Sequence, residues 1–502
     1  MAVRAVWRPP WYAWALLGVA MLALAREAAP ERLQGHWLIL TPVLIVAGVL
    51  VLRKLWELNP AILMCAAIVL TIFSGAWQQM GLGGLPLDRL LLVIVLLQFL
   101  LRAPGIAHTP RLRMRNVHLL MCLTIMYALG SAVAAGTQTS EIGVLSLFDQ
   151  LGIAPYLMFL LAPAVFAGRR ERKLLLATLV GLGAYLGFTA IFESLGPHVL
   201  VFPRYIAHVD VESTEGHVNG PFQNSVAEGI ATFGCAVAAA MAFAQWRGRS
   251  RMLAAAVAVA CIFGCFLTLE RGVWIAAVTA VAITALFTRA GRRWLAPGAL
   301  ACGLAIAVAL LLSPALASKT SQRATDRLSV WDRQNQTTAG LHMLEAKPLF
   351  GFGWNRYTSD SQEYFQLSPD YPLTGYSTPQ RVLPLHDVYL SYAVELGLIG
   401  ALLWLATLFW GVGGAIFGLG RRSDDLRPWR LGLLALAVFF VVVGLFNPDQ
   451  APFPTLLLWA WAGVALGSES LSAQARRASR VPRAPGGVTW VPVGAADVVL
   501  PR

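Results

Sequence analysis

Apolar runs long enough to cross a lipid bilayer follow one another along almost the whole chain, and the short segments between them are alternately rich and poor in Arg and Lys. This pattern constrains the fold more than any other feature. Crossing the hydrocarbon core as a helix takes ~20 residues, usually about 17–25. Candidate spans fall at roughly 11–25, 37–52, 60–77, 86–102, 118–136, 150–167, 174–194, 225–245, 252–269, 271–288, 295–313, 386–417, 430–446 and 453–467. The first and last runs are short and that at 150–167 reads as partly interfacial, so 12–14 transmembrane helices are expected. Hydrocarbon offers the backbone no hydrogen-bond partners, which makes spans of this length helical. With 57% of its 502 residues hydrophobic and 13% charged, the chain has too little charge to cover a soluble surface of its size. The expected fold class is all-α, a polytopic integral membrane protein.

Orientation follows from the basic residues. With the amino terminus cytoplasmic, the inside segments are 53–54, 102–115, 169–173, 247–251, 289–293, 421–430 and the tail carrying Arg476, Arg477 and Arg480. The intervening segments 78–87, 136–143 and 446–452 are poor in Lys and Arg, and only 26–32 breaks the contrast. This is the positive-inside pattern, and it accounts for the net charge of +13 without a nucleic-acid partner. The run at 11–25 follows Arg4 and Arg8 and reads as a retained first span rather than a cleaved signal. All six cysteines lie in apolar runs with no CxxC or Cys/His spacing, as expected of buried free thiols acting as small hydrophobes.

Two outer segments are too long to be turns: 196–224 and 314–385. Long loops in compact architectures usually carry function. Within the second, 323–343 reads as one polar amphipathic helix, Lys347-Pro348-Leu349-Phe350-Gly351-Phe352-Gly353 as a turn, and 368–384 as an ordered, non-helical lid. The chain divides into a polytopic domain at 1–467 and an Arg-, Pro- and Gly-rich tail at 468–502, expected to be disordered and cytoplasmic.

Four places could carry chemistry. His386 opens a span at the boundary between a polar segment and lipid, where neutral imidazole could accept a proton or simply cap and pack. Its neighbour Asp387 could orient it or cap the helix, and Glu395, two turns into the span, is an intramembrane carboxylate that could bind substrate or pair with an Arg. Arg271, in the tight Leu269-Glu270-Arg271-Gly272 turn, could grip a phosphate, pair with Glu270 or snorkel. His217 and Asn224 lie in the Glu215 to Ser225 segment, which holds the Asn219-Gly220-Pro221-Phe222-Gln223-Asn224 element. Asn224 could cap the next helix and leave its first N–H groups to an anion; His217 could meet phosphate or a sugar hydroxyl; a plain capping loop is the alternative. Arg327 and Trp331 pair a cation with an aromatic face, suited to sugar or anion contact or to packing on a solvated helix. P-loop, Rossmann, HExxH and DxD patterns are missing, so neither a cofactor nor a metal is expected.

In this order, the segments resemble the O-antigen ligase and polymerase family of bacterial envelope membrane proteins. The likeness covers roughly 180–450. It rests on the 219–224 element, Glu270-Arg271-Gly272, the segment from Arg327 to Trp331, the 347–353 turn, and the His386 block running into Glu395-Leu396-Gly397-Leu398-Ile399-Gly400. The resemblance implies a metal-independent glycosyltransferase in the bacterial inner membrane, acting on its outer face. Its donor would be a glycan on undecaprenyl pyrophosphate and its acceptor a sugar hydroxyl on a glycan or lipid, with membrane lipids as further partners. Carried over by position, His386 is the general base and Arg271 the pyrophosphate clamp. His217 stands where the family usually has Arg, and Asp387 where it commonly has Asn. A transporter or flippase of lipid-linked or small solutes is the alternative from another class, and a non-catalytic scaffold a third.

Overall fold

The computed structural model describes residues 48–77, 80, 86–101, 112, 114–208, 217–325, 327–366, 383–420, 425–447 and 451–480. The candidate span at 11–25, most of that at 37–52, most of the 368–384 lid and residues 481–502 lie outside them. The described elements are all helical: α1 (Gly48–Glu57), α2 (Pro60–Thr71), α3 (Leu87–Leu100), α4 (Asn116–Ala135), α5 (Gly143–Val165), α6 (Arg169–Leu195), α7 (Ser225–Gln245), α8 (Gly248–Leu267), α9 (Arg271–Leu286), α10 (Arg289–Leu312), α11 (Pro314–Thr325), α12 (Leu328–Ala346), α13 (Tyr357–Gln366), α14 (Val388–Ile416), α15 (Arg427–Gly444) and α16 (Pro452–Arg480). Eight of these are long and apolar enough to span a membrane, or nine if α1 and α2, bent by 118° at Asn59-Pro60, form one span. The shorter α9 and the first part of α16 are apolar as well.

Several expected boundaries move for identifiable reasons. The run at 150–167 is a full span, because α5 starts at Gly143 and passes through a π turn at Leu147–Leu151. That turn presents Asp149 to Arg89 of α3, whose Nε donates to Asp149 Oδ1 at 3.0 Å, so two charges at membrane depth satisfy one another. The region 314–385 is not a plain loop: α11, α12 and α13 fold from it, and the helix expected at 323–343 is split between α11 and α12. The last helix runs on to Arg480, past Gly467, because 468–480 contains no Pro or Gly to stop it. Of the cysteines, Cys65, Cys235, Cys261 and Cys265 are buried thiols, whereas Cys122 and Cys302 are exposed on α4 and α10, which have large lipid-accessible faces.

The core forms where small residues let helices approach. Gly183 of α6 faces Cys235 and Cys261, and Gly264 of α8 faces Ala190, drawing α6, α7 and α8 together. Elsewhere α16 packs on α5, and α15 on α9.

The most consequential irregularity is a break within α14. Gly397 takes φ 68° and ψ 176°, so the helix ladder is interrupted in the middle of a span. In a helix the carbonyls of Val394 and Glu395 would accept from Leu398 and Ile399. Here they accept from Phe352 N (2.9 Å) and Gly353 N (2.8 Å), while Leu398 N and Ile399 N donate to the carbonyls of Pro348 (2.8 Å) and Leu349 (3.4 Å). Tyr127 Oη donates to the Leu396 carbonyl at 2.9 Å. Three carbonyls and two N–H groups at the break thus find new partners, which is what makes it tolerable at this depth. The 347–353 turn and the 395–400 segment are therefore structural partners. A Cβ at Gly397 would stand 2.2 Å from the Leu349 carbonyl oxygen. We expect Gly397→Ala to destabilise the folded protein by at least about 1–3 kcal/mol, read as a lower melting temperature in detergent, whereas Gly181→Ala, where a Cβ meets nothing within 4 Å, leaves it unchanged.

Candidate functional site

Arg271, Asn224, Arg327, His386 and Asp387 sit where helices begin. Asn224 caps α7, its Oδ1 accepting from Ala227 N at 2.9 Å. Asp387 caps α14, its Oδ1 accepting from Tyr389 N (2.9 Å) and Leu390 N (3.0 Å). The alternatives for Asp387 thus resolve towards the cap. The 219–221 turn is pinned by Glu193 of α6, which accepts from Asn219 N at 2.8 Å and Gly220 N at 3.0 Å. By connectivity, these helix starts share one end of the bundle with the α8–α9 turn. The Arg-rich starts of α6, α8 and α10 occupy the other.

In the α8–α9 turn, Leu269 adopts φ 55°, a left-handed conformation unusual for a branched side chain. Next to it, the buried Glu270 joins three elements. Its Oε1 accepts from Ser225 Oγ at 2.9 Å and lies 3.4 Å from His217 Nδ1, while its Oε2 lies 3.9 Å from Arg333 Nη2 of α12. Arg271 reaches the same helix, Nη2 donating to Ser329 Oγ at 3.0 Å. Gly272 admits the Phe446-Asn447 turn, whose atoms a Cβ would meet at 2.8–2.9 Å.

α12 carries the far wall of the site. Ser329, Asp332, Arg333 and Gln336 fall within an arc of roughly 100° at about 100° per residue. Gln336 is fully buried, and its Oε1 lies 2.8 Å from Nδ1 of His386. Arg271 and His386, 115 positions apart in the chain, therefore contact one face of one helix, their partners about two turns and roughly 10 Å apart along it. Burial pushes the His386 imidazole down to about 4; the positive charge of Arg333 acts in the same direction, and Glu270 and a hydrogen bond with the Pro384 backbone oppose both. His386 is thus neutral at physiological pH, a form able to accept a proton.

The other sequence candidates stand apart from this cluster. Arg327 and Trp331 lie about half a turn around α12 from the Ser329–Gln336 stripe, Arg327 exposed and Trp331 half-buried. Glu395 is occupied in the frame: its carboxylate accepts from Asn355 N at 2.9 Å and Tyr357 N at 3.4 Å, capping α13. Sequence reasoning missed Arg333, Gln336, Asp332 and the joining role of Glu270. The one available signal was the polar i, i+3, i+4, i+7 spacing from Ser329, which marks a helix face without saying what it faces.

Residues 256–405, from within α8 to the middle of α14, match the family model described as O-Antigen ligase. That is under a third of the chain, and in this part the chain is similar to O-antigen ligases. The match takes in Arg271, α12 and the His386 block and begins after His217 and Asn224. This similarity and the apolar helices support a glycan-transferring, membrane-embedded enzyme of envelope biosynthesis. The chain matches no curated protein.

Two outcomes test this geometry. Because the folded imidazole lies below its ordinary value of about 6.5, the unfolded chain binds the extra proton first as pH falls. His386 therefore contributes stability above about pH 6.5 that is lost on the way down to about pH 4. The groups facing it are Arg333, Glu270 and, through Gln336, Asp332, with Asp387 next in the chain. Thermal unfolding in detergent should show wild type losing more stability than His386→Gln across that window. For the cap, Asp387→Ala should lower stability by about 1 kcal/mol, and Asp387→Ser should restore most of it.

Proposed function

We propose that this protein transfers a glycan from an undecaprenyl-pyrophosphate donor to a sugar hydroxyl at the outer surface of the cytoplasmic membrane. The observation that carries the reading is the convergence of Arg271, Arg333 and a neutral His386 on one face of α12. The Arg-rich loops lie at the opposite end of the bundle, and the positive-inside rule then turns this site outward.

The acceptor hydroxyl oxygen attacks the anomeric carbon of the donor sugar, and the bond from that carbon to the phosphate oxygen breaks. His386 takes the hydroxyl proton, and undecaprenyl pyrophosphate departs with the bonding electron pair. Pyrophosphate is already a good leaving group, so the protein mainly positions the partners and meets departing negative charge. Guanidinium groups of Arg271 and Arg333 suit that task. A bound pyrophosphate beside the imidazole raises its proton affinity, because an opposite charge favours the protonated form. Donor binding thereby strengthens the base at the moment it is needed.

His217, within ion-pair distance of Glu270, is the candidate for a further phosphate contact, and Asn224 lies at the head of α7 near the same turn. Arg327 and Trp331, on the outer side of α12, suit contact with a longer glycan. Asp387 and Glu395 hold the frame. No metal or cofactor enters this scheme.

The test is reconstitution of the full chain in nanodiscs with undecaprenyl-pyrophosphate-linked glycan and glycan or lipid acceptors. His386→Ala should lower turnover by about 10²–10⁴-fold with donor binding retained. Arg271→Ala should lower it by about 10²–10³-fold. Transfer at the wild-type rate in both variants would overturn the site, and movement of donor across the bilayer with no bond formed would favour a flippase.

A further inference from the structure

A histidine acting as a base must carry its lone pair on the nitrogen that meets the substrate, and neutral imidazole can carry it on either one. The polar face of α12 removes that ambiguity. Asp332 and Gln336 are one turn apart and shielded from water, at 4% and 0% exposure, so solvent does not compete for their hydrogen bonds. A carboxylate only accepts, so the group that Gln336 turns towards Asp332 Oδ2, at 2.8 Å, is its amide NH₂. This directs the amide oxygen to His386, 2.8 Å from Nδ1. An amide oxygen also only accepts, so Nδ1 bears the hydrogen, and the hydrogen bond to the Pro384 backbone must then share that single N–H of the neutral ring. Tyr357 Oη, donating to the Gln336 backbone carbonyl at 3.3 Å, ties α13 to the same turn of α12.

We infer that Asp332 and Gln336 are positioning residues forming a directional relay, Asp332–Gln336–His386, which holds the imidazole as the Nδ1–H tautomer and makes Nε2 the proton-accepting atom. The inference rests on the reading of His386 as the base and deepens it. As the acceptor oxygen bonds to the anomeric carbon and the carbon–phosphate-oxygen bond breaks, the hydroxyl proton passes to Nε2. Nδ1–H stays on Gln336 Oε1, which stabilises the imidazolium, and Asp332 remains a carboxylate. The proton on Nε2 then leaves to the departing pyrophosphate or to water. A Gln that only filled space would serve in either amide orientation. The carboxylate beyond it is what makes the orientation matter.

The relay is tested apart from activity by ¹⁵N NMR of the full chain with labelled histidine, taking the His386 signals from the difference with His386→Gln. Wild type should show a protonated, pyrrole-like Nδ1 and a pyridine-like Nε2; a protonated Nε2 overturns the inference whether or not any other variant folds. Asp332→Asn allows the Gln336 amide to turn over. It should bring in the other tautomer and lower kcat by about tenfold or more, in keeping with the larger loss, about 10⁴-fold, seen when a serine hydrolase loses the carboxylate that sets its histidine tautomer. Donor KM should stay within about twofold. Gln336→Met, which offers no acceptor to Nδ1, should behave likewise. The double variant Asp332→Asn with Gln336→Glu keeps the direction of the relay, since the Asn NH₂ donates to the new carboxylate and that carboxylate accepts from Nδ1–H. It should recover both the Nδ1–H signal and most of kcat, an outcome a purely structural role does not produce. Unchanged tautomer and kcat in Asp332→Asn would overturn the relay. Wild-type transfer by His386→Ala together with the expected NMR pattern would leave the relay standing and remove the catalytic reading.

Discussion

Everything at the site depends on how the chain satisfies a broken backbone inside the bilayer. Gly397 interrupts α14, and four main-chain groups there would be left unpaired in hydrocarbon. The 348–353 segment supplies the missing partners, and Glu395 fastens the start of α13 through its carboxylate. Because this segment directly follows α12, the repair also fixes where α12 ends. The polar helix is thereby held against the span that begins after His386, and Gln336 comes within hydrogen-bond reach of the imidazole. A backbone requirement, met well below the site, sets the distance between two side chains above it.

Electrostatics around α12 follow from that placement. Arg271, Arg333, Glu270, His217 and His386 approach one another from four separate stretches of chain. Burial favours neutral imidazole, and the adjacent guanidinium adds to the effect. Glu270 offsets part of the positive charge while its Ser225 and His217 contacts hold the 217–225 segment to the α8–α9 turn. One carboxylate thus both moderates the field and ties the turn to α7. The residues flanking these groups are helix caps, so the site is assembled from the ends of rigid elements rather than from free loops.

Much of this was legible in the sequence, but unevenly. The spans from 118 to 313 were readable because hydrocarbon thickness sets a length that composition must match. Arg271 and His386 stood out as ionisable groups at lipid boundaries. Asp387 remained ambiguous because a cap and an orienting carboxylate look the same in one dimension. Arg327 and Trp331 drew notice for their chemistry, yet their phase on α12 turns them away from Ser329, Arg333 and Gln336. Glu395 was noticed for its depth, and its carboxylate proves to be spent on backbone N–H groups of a segment 38–40 residues earlier in the chain. None of these outcomes is set by local spacing.

The sequence by itself determined the solvent and the helical class, because both follow from the length and hydropathy of its apolar runs. It also marked the 347–353 segment as a turn, whereas Gly397 lies inside what reads as an unbroken span at 386–417. Only the tertiary structure decided that this span breaks at Gly397 and pairs with that turn, and that Asp332, Gln336 and His386 form one hydrogen-bonded line. Hydrogen-bond direction depends on which donor and acceptor meet across tens of residues, and a linear order of residues does not carry that information.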